Sequence, residues 1–268
     1  MNRSQWPIVP LVYVCFLLIP LYWLVTLSFK LEPEILQRFT FWPRSPTLAN
    51  FQVIFGGRDW SMGYVHAVIY VVMNVMISVA VAIPAAYAFS RGDFSLKKPL
   101  FFSFLLFRLI APVILVVPFT EIFYDIGLFD THIGVALAHC FFNVPVAVWI
   151  LDGAISAVPR EVDESAFVDG HSLISFFRRI LIPTISPSIA VAAFCCFMFS
   201  WVEYVLSGAL TAVQAKPISG LMSRAGDIGG VEYGLLAAVS VLGFLPGLMC
   251  MLAIRRYLTQ GFSLGRGA

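Results

Sequence analysis

The chain has 268 residues, of which 60% are hydrophobic and only 12% are charged. Average soluble domains contain roughly 25% charged residues, so this composition excludes a soluble globular protein. The mean hydropathy over the whole chain is +0.89. Because a single apolar segment would not raise the mean of the whole chain this far, the value predicts several membrane spans rather than one anchor. The net charge of +2 gives no basic stripe, so nucleic acid is excluded as the main partner.

The first apolar run, residues 7–29, is predicted to remain in the mature protein as a membrane helix. It contains 23 consecutive uncharged residues, whereas the apolar region of a cleaved signal peptide has roughly 7 to 15. No small-residue cleavage pattern closes the run, so it is not interpreted as a signal peptide.

Five further apolar runs follow, and together the six predict an all-α fold. A helix rises about 1.5 Å per residue, so about 20 residues cross a hydrocarbon core of about 30 Å. Strands of a membrane barrel alternate over roughly ten residues, whereas these runs are continuously apolar. We therefore expect one polytopic transmembrane domain over residues 1–268 with six transmembrane helices. The predicted spans are residues 7–29, 64–90, 99–124, 133–153, 183–209 and 231–255.

The five cysteines all lie within apolar stretches and form no CxxC pair. Neither a disulfide framework nor a metal site is therefore predicted. They are interpreted as small apolar packing residues. The cysteines are Cys15, Cys140, Cys195, Cys196 and Cys250.

The distribution of lysine and arginine predicts that both termini are cytoplasmic. With this orientation ten cations fall on the inner side, close to the ends of spans, and six fall in the longer outer loops. The inner cations are Arg3, Arg91, Lys97, Lys98, Arg160, Arg178, Arg179, Arg255, Arg256 and Arg266, and the outer ones are Lys30, Arg38, Arg44, Arg58, Lys216 and Arg224.

Two connections between spans are long enough to have structure of their own. Residues 30–63 form an outer segment rich in proline and aromatic residues, which we expect to be ordered against the membrane or a partner. Residues 155–182 form the inner loop, the longest connection on the predicted cytoplasmic side. Its sequence is the most informative part of the chain.

The inner loop is predicted to form two short helices separated by a turn at Gly170. The first turns carry Glu161, Asp163 and Glu164, which suit a helix N-terminus because carboxylates interact favourably with the positive end of the helix dipole. Gly170 permits the left-handed backbone conformation that often ends a helix. Such a helix–turn–helix on the inner face is suited to act as a rigid lever against a partner.

The spacing in this loop resembles the EAA loop of ATP-binding-cassette importer permeases. That motif reads Glu-Ala-Ala, three residues, Gly, nine residues and Ile-x-Leu-Pro. The spacing here is the same throughout, with serine in place of the first alanine and isoleucine in place of leucine. The matching residues are Glu164, Ser165, Ala166, Gly170, Ile180, Leu181, Ile182 and Pro183.

The resemblance extends over nearly the whole chain and is greatest to the maltose-type permeases, which serve sugars and polyols. The similar stretches are AAYAFSR at 85–91, RLIAPVILVVPF at 108–119, IGLFDT at 126–131 and RRYLTQGFSLGRGA at 255–268. One departure is WVEY at 201–204, where family members often carry Trp-Asn-Glu-Phe.

This resemblance implies a non-catalytic permease subunit of an importer in the bacterial cytoplasmic (inner) membrane. It implies four kinds of partner: a second homologous permease subunit, two ATP-binding-cassette ATPase subunits, an extracytoplasmic solute-binding protein and membrane lipid. The implied solute is a small polyhydroxy compound, either a sugar or a polyol such as glycerol. The implied ATPase-coupling residues are Glu161, Glu164, Ser165, Ala166, Gly170, Ile180 and Pro183.

The chain itself is expected to bind no cofactor and no metal. It contains no G-x-x-x-x-G-K-[ST] motif, the pattern that holds nucleotide phosphates in many ATPases. ATP and Mg are therefore expected on the partner ATPase subunits.

Polar side chains within the predicted spans are candidates for the solute pathway. A charge at the centre of a span costs roughly 2.5 to 3.5 kcal/mol, so Arg108 and Glu203 need a partner or a wet cavity. Glu203 is one candidate partner of Arg108. Packing between helices is the favoured role for Arg108, Asn74 and His139. Packing and solute contact are about equally favoured for Asn143, and solute contact is slightly favoured for Glu203.

A secondary transporter and a membrane-embedded enzyme are the two rival classes. A secondary transporter is expected to have paired repeats, broken helices and several intramembrane acids, whereas only Glu121 and Glu203 qualify here. An enzyme needs a cluster of catalytic side chains, whereas the four histidines are dispersed along the chain, at positions 66, 132, 139 and 171. Both patterns favour the importer subunit.

Overall fold

The computed structural model of the protein describes residues 8–37, 39–218 and 232–264. Within these ranges the regular elements are helices and no strand is present, which confirms the all-α fold. Arg3, Arg38, Arg224 and Arg266, four of the cations used to predict orientation, lie outside the described residues. The helices are α1 (Ile8–Ser28), α2 (Glu32–Gln37), α3 (Ala49–Gly56), α4 (Arg58–Arg91), α5 (Lys97–Leu109), α6 (Pro112–Asp125), α7 (His132–Ser156), α8 (Arg160–Val168), α9 (Leu173–Thr184), α10 (Ser186–Val202), α11 (Val205–Ala209) and α12 (Tyr233–Leu264).

Four of the described helices, α1, α4, α7 and α12, are by themselves long and apolar enough to cross a membrane. Two further pairs of helices are long and apolar enough only when each pair is taken together, and each pair is bent. The axes of α5 and α6 differ by 97°, and those of α9 and α10 differ by 80°. If each bent pair is one span, the described residues contain six spans, but the fifth then begins at Leu173 within the inner loop and not at the predicted residue 183.

The predicted third span, residues 99–124, is divided between two helices, α5 and α6. Ile110 and Ala111 both have extended backbone angles, with ψ values of 124° and 131°. Pro112 causes this break, because a proline ring disfavours helical geometry at the residue before it and the proline has no N–H to donate. Pro112 then begins α6, a position that suits proline.

The predicted fifth span, residues 183–209, is also interrupted. Its long helix, α10, ends at Val202, and the backbone of Glu203 is extended, with ψ at 117°. The short helix α11 begins two residues later. The apolar composition of the run does not reveal this break, which depends on the hydrogen bonds of one side chain described below.

The chain divides into two compact units. The first contains residues up to Tyr64 together with 218–246, and its outer segment is ordered by internal hydrogen bonds. Lys30 is fully buried and donates from Nζ to the carbonyl oxygen of Thr40 at 2.5 Å. Asn50 donates to the carbonyl oxygens of Ser28 and Lys30, both at 2.9 Å. These bonds attach the outer segment to the end of α1.

The second unit contains residues 65–217 and the chain from Gly247 onward. Its core is formed by apolar side chains of α4, α7, α8, α9 and α10. Ala86, Leu151 and Ala192 are fully buried in this core. The same core includes Ala166 and Phe176 of the inner loop, so the loop is packed as part of the unit.

The IGLFDT stretch, residues 126–131, joins α6 to α7 and also holds a second loop. The carboxylate of Asp130 accepts hydrogen bonds from four consecutive backbone N–H groups, residues 212–215, at 2.9 to 3.2 Å. Asp130 has a φ of +57°, a left-handed conformation that aspartate tolerates better than most residues. Burial alone would raise the pKa of Asp130, but these four N–H groups lower it below its ordinary value.

We predict that Asp130→Asn loosens this loop and destabilises the protein over most of the pH range. A lowered carboxylate pKa in the folded state contributes stability at every pH above about 4, and this contribution is lost as the pH falls through the folded-state pKa. The variant should therefore have an apparent Tm a few degrees below that of the parent, by the same amount at pH 7 and pH 5. Thermal unfolding of the detergent-solubilised protein measures this difference.

Asp125→Asn is the matched control, because Asp125 is exposed and its side chain makes no hydrogen bond to the described residues. It should leave the Tm unchanged. A Tm difference for Asp130→Asn that is absent at pH 7 and appears only on acidification would contradict the assignment.

Candidate functional site

The inner loop has the predicted helix–turn–helix structure, with its turn at Gly170. The φ of Gly170 is +83°, the left-handed conformation in which a side chain is strained. The N–H of Gly170 donates to the carbonyl of Phe167 at 3.1 Å, and that of His171 donates to the carbonyl of Ala166 at 3.1 Å. This pair of bonds is a Schellman motif, which ends α8.

The inner loop is fixed to the end of α4 by a buried ion pair. Arg91, the last residue of α4, donates from Nε and Nη2 to the two carboxylate oxygens of Asp163, at 2.8 and 3.2 Å. The same Nη2 donates to the carbonyl of Val158 at 2.9 Å, and the hydroxyl of Tyr87 donates to Asp163 at 3.1 Å. The side chains of Arg91 and Asp163 are only 12% and 9% exposed. Bidentate pairs of this kind fix orientation as well as distance.

Aromatic packing joins the two helices of the loop to the same end of α4. The Phe167 ring of α8 lies 5.2 Å from the Phe176 ring of α9, measured between centroids. The Tyr87 ring contacts Phe176 and Phe177 at 5.9 and 5.0 Å. Ala166 lies on the buried face of α8. A larger side chain at this position would disturb the packing of α8 against the core. α8 and α9 are therefore held on α4 by apolar contacts as well as by the ion pair.

The opposite face of the loop is exposed and mixes acidic with apolar side chains. Glu161, Glu164 and Ser165 are all exposed. Val168 and Ile174 are 87% and 74% exposed. Exposed apolar side chains that are clustered in this way commonly mark a surface that contacts another protein.

The remaining two coupling candidates lie where α9 leads into α10. Ile180 is half-buried against the core, and Pro183 is exposed. Residues Phe177–Leu181 form a π-helical turn, in which the N–H of Ile182 donates to the carbonyl of Phe177. Pro183 has no N–H, and its ring would clash with the carbonyl four residues earlier in a regular α-helix. The widened turn avoids this clash just before the 80° bend.

Two of the four solute-pathway candidates, Asn74 and Asn143, lie in one buried polar network between α4, α7 and α10. Asn143 donates to the side-chain oxygen of Asn74 at 2.6 Å and to the carbonyl of Cys196 at 3.2 Å. Asn74 donates to the carbonyl of Ala136 at 3.0 Å. Both asparagines are at most 1% exposed, so in this conformation they hold helices together.

Glu203 belongs to the same region and organises the break after α10. Its carboxylate accepts hydrogen bonds from the backbone N–H groups of residues 205–207 at 2.8 to 3.1 Å. These N–H groups lie in the first turn of α11 and have no acceptor within that helix. The carboxylate also accepts from His139 Nε2 at 3.0 Å, and His139 Nδ1 bonds to Ser200 at 2.5 Å.

Arg108 is separate from this network. Its guanidinium lies over the ring of Phe199, with the central carbon 4.1 Å from the ring centroid. Arg108 lies in the last turn of α5, two residues before the break at Ile110 and Ala111. Among the described residues no carboxylate pairs with it. The partner that the sequence suggested, Glu203, is bonded to His139 instead.

Two important pairings were missed from the sequence. The sequence identifies Asp163 only as an acid that favours the start of a helix. It identifies Arg91 only as a positive charge that indicates the cytoplasmic side of the membrane. Their opposite charges at the inner ends of two separate elements were the available signal. His139 was also not recognised as the partner of Glu203, because nothing in the order of the residues shows that α7 and the end of α10 meet.

We predict that Glu203→Gln lowers the yield and stability of the protein. In the parent, three backbone N–H groups and one imidazole N–H donate to the two oxygens of the Glu203 carboxylate. A glutamine side chain has only one acceptor oxygen, and its NH2 group would face the donors that lose the second oxygen. The amount of monodisperse protein extracted from membranes should fall several-fold. Glu121→Gln, which changes an exposed acid of α6, is the control and should have no effect. Equal yield and Tm for Glu203→Gln and the parent would show that the carboxylate is not needed to hold this break.

The family description "Binding-protein-dependent transport system inner membrane component" matches residues 61–264. The match covers α4 to α12 almost completely, including the inner loop and the polar network. It therefore contains every residue of the sites described above.

Similar proteins and solved structures agree with this match. The chain is 27% identical to the trehalose transport system permease protein SugB of Mycobacterium tuberculosis, over 98% of this chain and 97% of that protein. It is 25% identical to the melibiose/raffinose/stachyose import permease protein MelC of Bacillus subtilis, over 95% and 92% of the two chains. In fold it is similar to a chain of a bacterial ABC transporter involved in the import of the acidic polysaccharide alginate, with a TM-score of 0.79, 18% identity and coverage of 96% and 98%.

The family match covers more than half of the chain and agrees with the helical membrane fold. This protein therefore belongs to the inner membrane components of binding-protein-dependent transport systems, and it is a multi-pass permease of the inner membrane.

Proposed function

We propose that this chain is the non-catalytic permease subunit of an ATP-driven importer for a small polyhydroxy solute, a sugar or a polyol such as glycerol. An extracytoplasmic binding protein delivers the solute. A second homologous permease completes the pathway, and two ATP-binding-cassette ATPase subunits, which carry ATP and Mg, drive it. The names of the relatives support a sugar as solute, since they include permeases for trehalose, for melibiose and for alpha-glucosides.

One observation carries the coupling part of this proposal: the inner loop has one buried face packed on α4 and one exposed face. Its buried face contains Asp163 and Ala166, whereas Glu164 and Val168 are exposed on the same helix. We expect a docking ATPase that moves the exposed face to move α4 with it, because the ion pair and the Tyr87 contacts join the loop to that helix. The residues 158–183 are thereby suited to transmit force.

Transport then follows from a two-state equilibrium between inward-open and outward-open arrangements. Closure of the ATPase dimer around ATP draws its two docking loops together, and a solute-loaded binding protein favours the same outward-open state. Each partner shifts the equilibrium only by the difference in its affinity for the two states. This chain supplies one of the two loops, so a second permease must supply the other.

Arg108 is the strongest of the four candidates for contact with solute. Its guanidinium has donors that bond to no described residue, and it lies at a helix break beside an aromatic ring. Guanidinium donors suit sugar hydroxyl or carboxylate oxygens. Asn74 and Glu203 are hydrogen-bonded to neighbouring helices. Asn143 donates to Asn74 and Cys196, but its buried side-chain oxygen has no hydrogen-bond partner among the described residues. All three lie between helices, so we propose contact with solute for them only if this region opens during transport.

The proposed orientation places both termini and the inner loop in the cytoplasm. It is supported by the lysine and arginine residues at the ends of α4, α5 and α12 and by the positive-inside rule. The ATPase subunits, which use cytoplasmic ATP, then reach the inner loop directly.

The direct test of this function is the composition and activity of the complex extracted with mild detergent. We expect native mass measurement to find one copy of this chain, one different permease and two ATPase subunits. In proteoliposomes this complex should take up a labelled sugar or polyol only when ATP and the binding protein are both present. A transport-competent assembly with two copies of this chain and no other permease, or uptake driven by an ion gradient without ATP, would contradict the proposal.

A substitution series at Gly170 tests the role of the loop. The site has open space for a Cβ atom, so asparagine and alanine act through the positive φ, whereas proline also removes the N–H that donates to Phe167. Asparagine tolerates this conformation better than alanine, and proline cannot adopt it. Recovery of ATPase subunits with the permease should therefore fall in the order Gly, Asn, Ala, Pro, while the amount of permease in the membrane changes little. Equal ATPase recovery for the parent and Gly170→Pro would remove the loop from the docking interface.

A further inference from the structure

A pocket lies at the inner ends of α4, α5 and α7, on the side of the second unit formed by the start of α5. Its volume is about 400 Å³. The mechanism proposed above does not use it, and none of the predicted site residues borders it. The lining residues are Phe89, Lys97, Lys98, Phe101, Phe102 and Asp152.

The pocket carries more positive than negative charge. Lys97 donates to the carbonyl of Gly92 at 3.2 Å, and Lys98 is exposed. Within the described residues neither lysine forms an ion pair. Asp152 of α7 is the one carboxylate in the lining, and Asp93 in the loop between α4 and α5 is exposed. Two ammonium groups therefore meet one carboxylate inside the pocket.

The rest of the wall is aromatic and reaches the apolar surface of α5. Phe89 is buried and packs edge-on against Phe101, with centroids 5.5 Å apart. Phe102, on the neighbouring position of α5, is 61% exposed. The lysines stand at the first turn of α5, and the phenylalanines follow one turn further into the span. The pocket thus has positive charge at its opening and an apolar surface beneath it. This arrangement is complementary to a phospholipid, in which a phosphate group is next to the acyl chains.

We propose that this pocket binds the headgroup of an anionic phospholipid of the inner leaflet. The phosphate lies between Lys97 and Lys98, and the upper part of an acyl chain lies along Phe101 and Phe102. Basic pockets between membrane helices on the cytoplasmic side bind such headgroups. The inner-leaflet assignment depends on the proposed orientation of the chain, but it does not depend on the transported solute.

A free anion fits the pocket less well than a lipid. Asp152 opposes the charge of either occupant, but inorganic phosphate would gain nothing from the aromatic wall. A lipid adds apolar contact along α5 to the charge interaction. Both parts of the pocket are needed only if the occupant has both a charged and an apolar part.

The test is native mass spectrometry of the complex with added phosphatidylglycerol or phosphatidylcholine of identical acyl chains. The parent complex should retain phosphatidylglycerol in preference to phosphatidylcholine. In the double variant Lys97→Gln/Lys98→Gln this preference should fall roughly thirtyfold, since each basic side chain near an anionic lipid contributes a factor of about five. Lys97→Arg/Lys98→Arg, which retains the charge, and Arg255→Gln, which removes a cation elsewhere on the inner side, are the controls and should behave like the parent.

Two further measurements distinguish the alternatives. Phe102→Ala should weaken retention of both lipids, whereas an excess of inorganic phosphate should displace neither. Equal phosphatidylglycerol retention by Lys97→Gln/Lys98→Gln and the parent would overturn the proposal, as would full displacement by phosphate. Loss of ATPase subunits from the double variant with unchanged lipid adducts would also overturn it, because the lysines would then contact protein. Failure of solute uptake in the parent would leave these lipid measurements unaffected.

Discussion

The ion pair between Arg91 and Asp163 is the constraint on which the proposed mechanism depends. It joins the end of a helix of 34 residues to the first turn of the inner loop, and removal of one partner from a buried pair costs about 3 kcal/mol or more. Without it, α8 would be held on the spans by apolar and aromatic contacts alone, such as those of Ala166 and Phe167. A loop that moves independently cannot transmit force, however well it docks on a partner.

Three carboxylates of this protein have a similar structural role, because each bonds to backbone N–H groups or to an arginine side chain near a turn or break in the chain. Asp130 binds four N–H groups of a neighbouring loop, Glu203 satisfies the start of α11, and Asp163 binds Arg91. None of these carboxylates is close to another in a catalytic arrangement, and no group of three or more metal-ligating side chains occurs among the described residues. The acids that stay exposed on the inner loop, Glu161 and Glu164, are free to meet a partner.

The sequence predicts the helical class and the approximate position of the spans because continuous apolar runs depend only on composition. It also predicts the turn at Gly170, whose positive φ is a local property of glycine. It does not predict the breaks within the third and fifth runs, because the first depends on the conformation before Pro112 and the second on hydrogen bonds of Glu203. The hydrogen bonds made by Asn74, Asn143 and His139 each join residues more than 50 positions apart in the chain. Such pairings follow from tertiary packing, which one sequence does not contain.

The most direct test of the account is a double-mutant cycle on Arg91→Gln and Asp163→Asn, measured as ATP-dependent uptake per assembled complex. If the two side chains act as one clamp, each single variant should lose most of the uptake, and the double variant should lose little more, because the interaction is already absent. Asp169→Asn, an exposed acid of the same loop, should retain the activity of the parent. Single variants with near-normal uptake, or losses that multiply in the double variant, would contradict the claim that this ion pair holds the coupling loop.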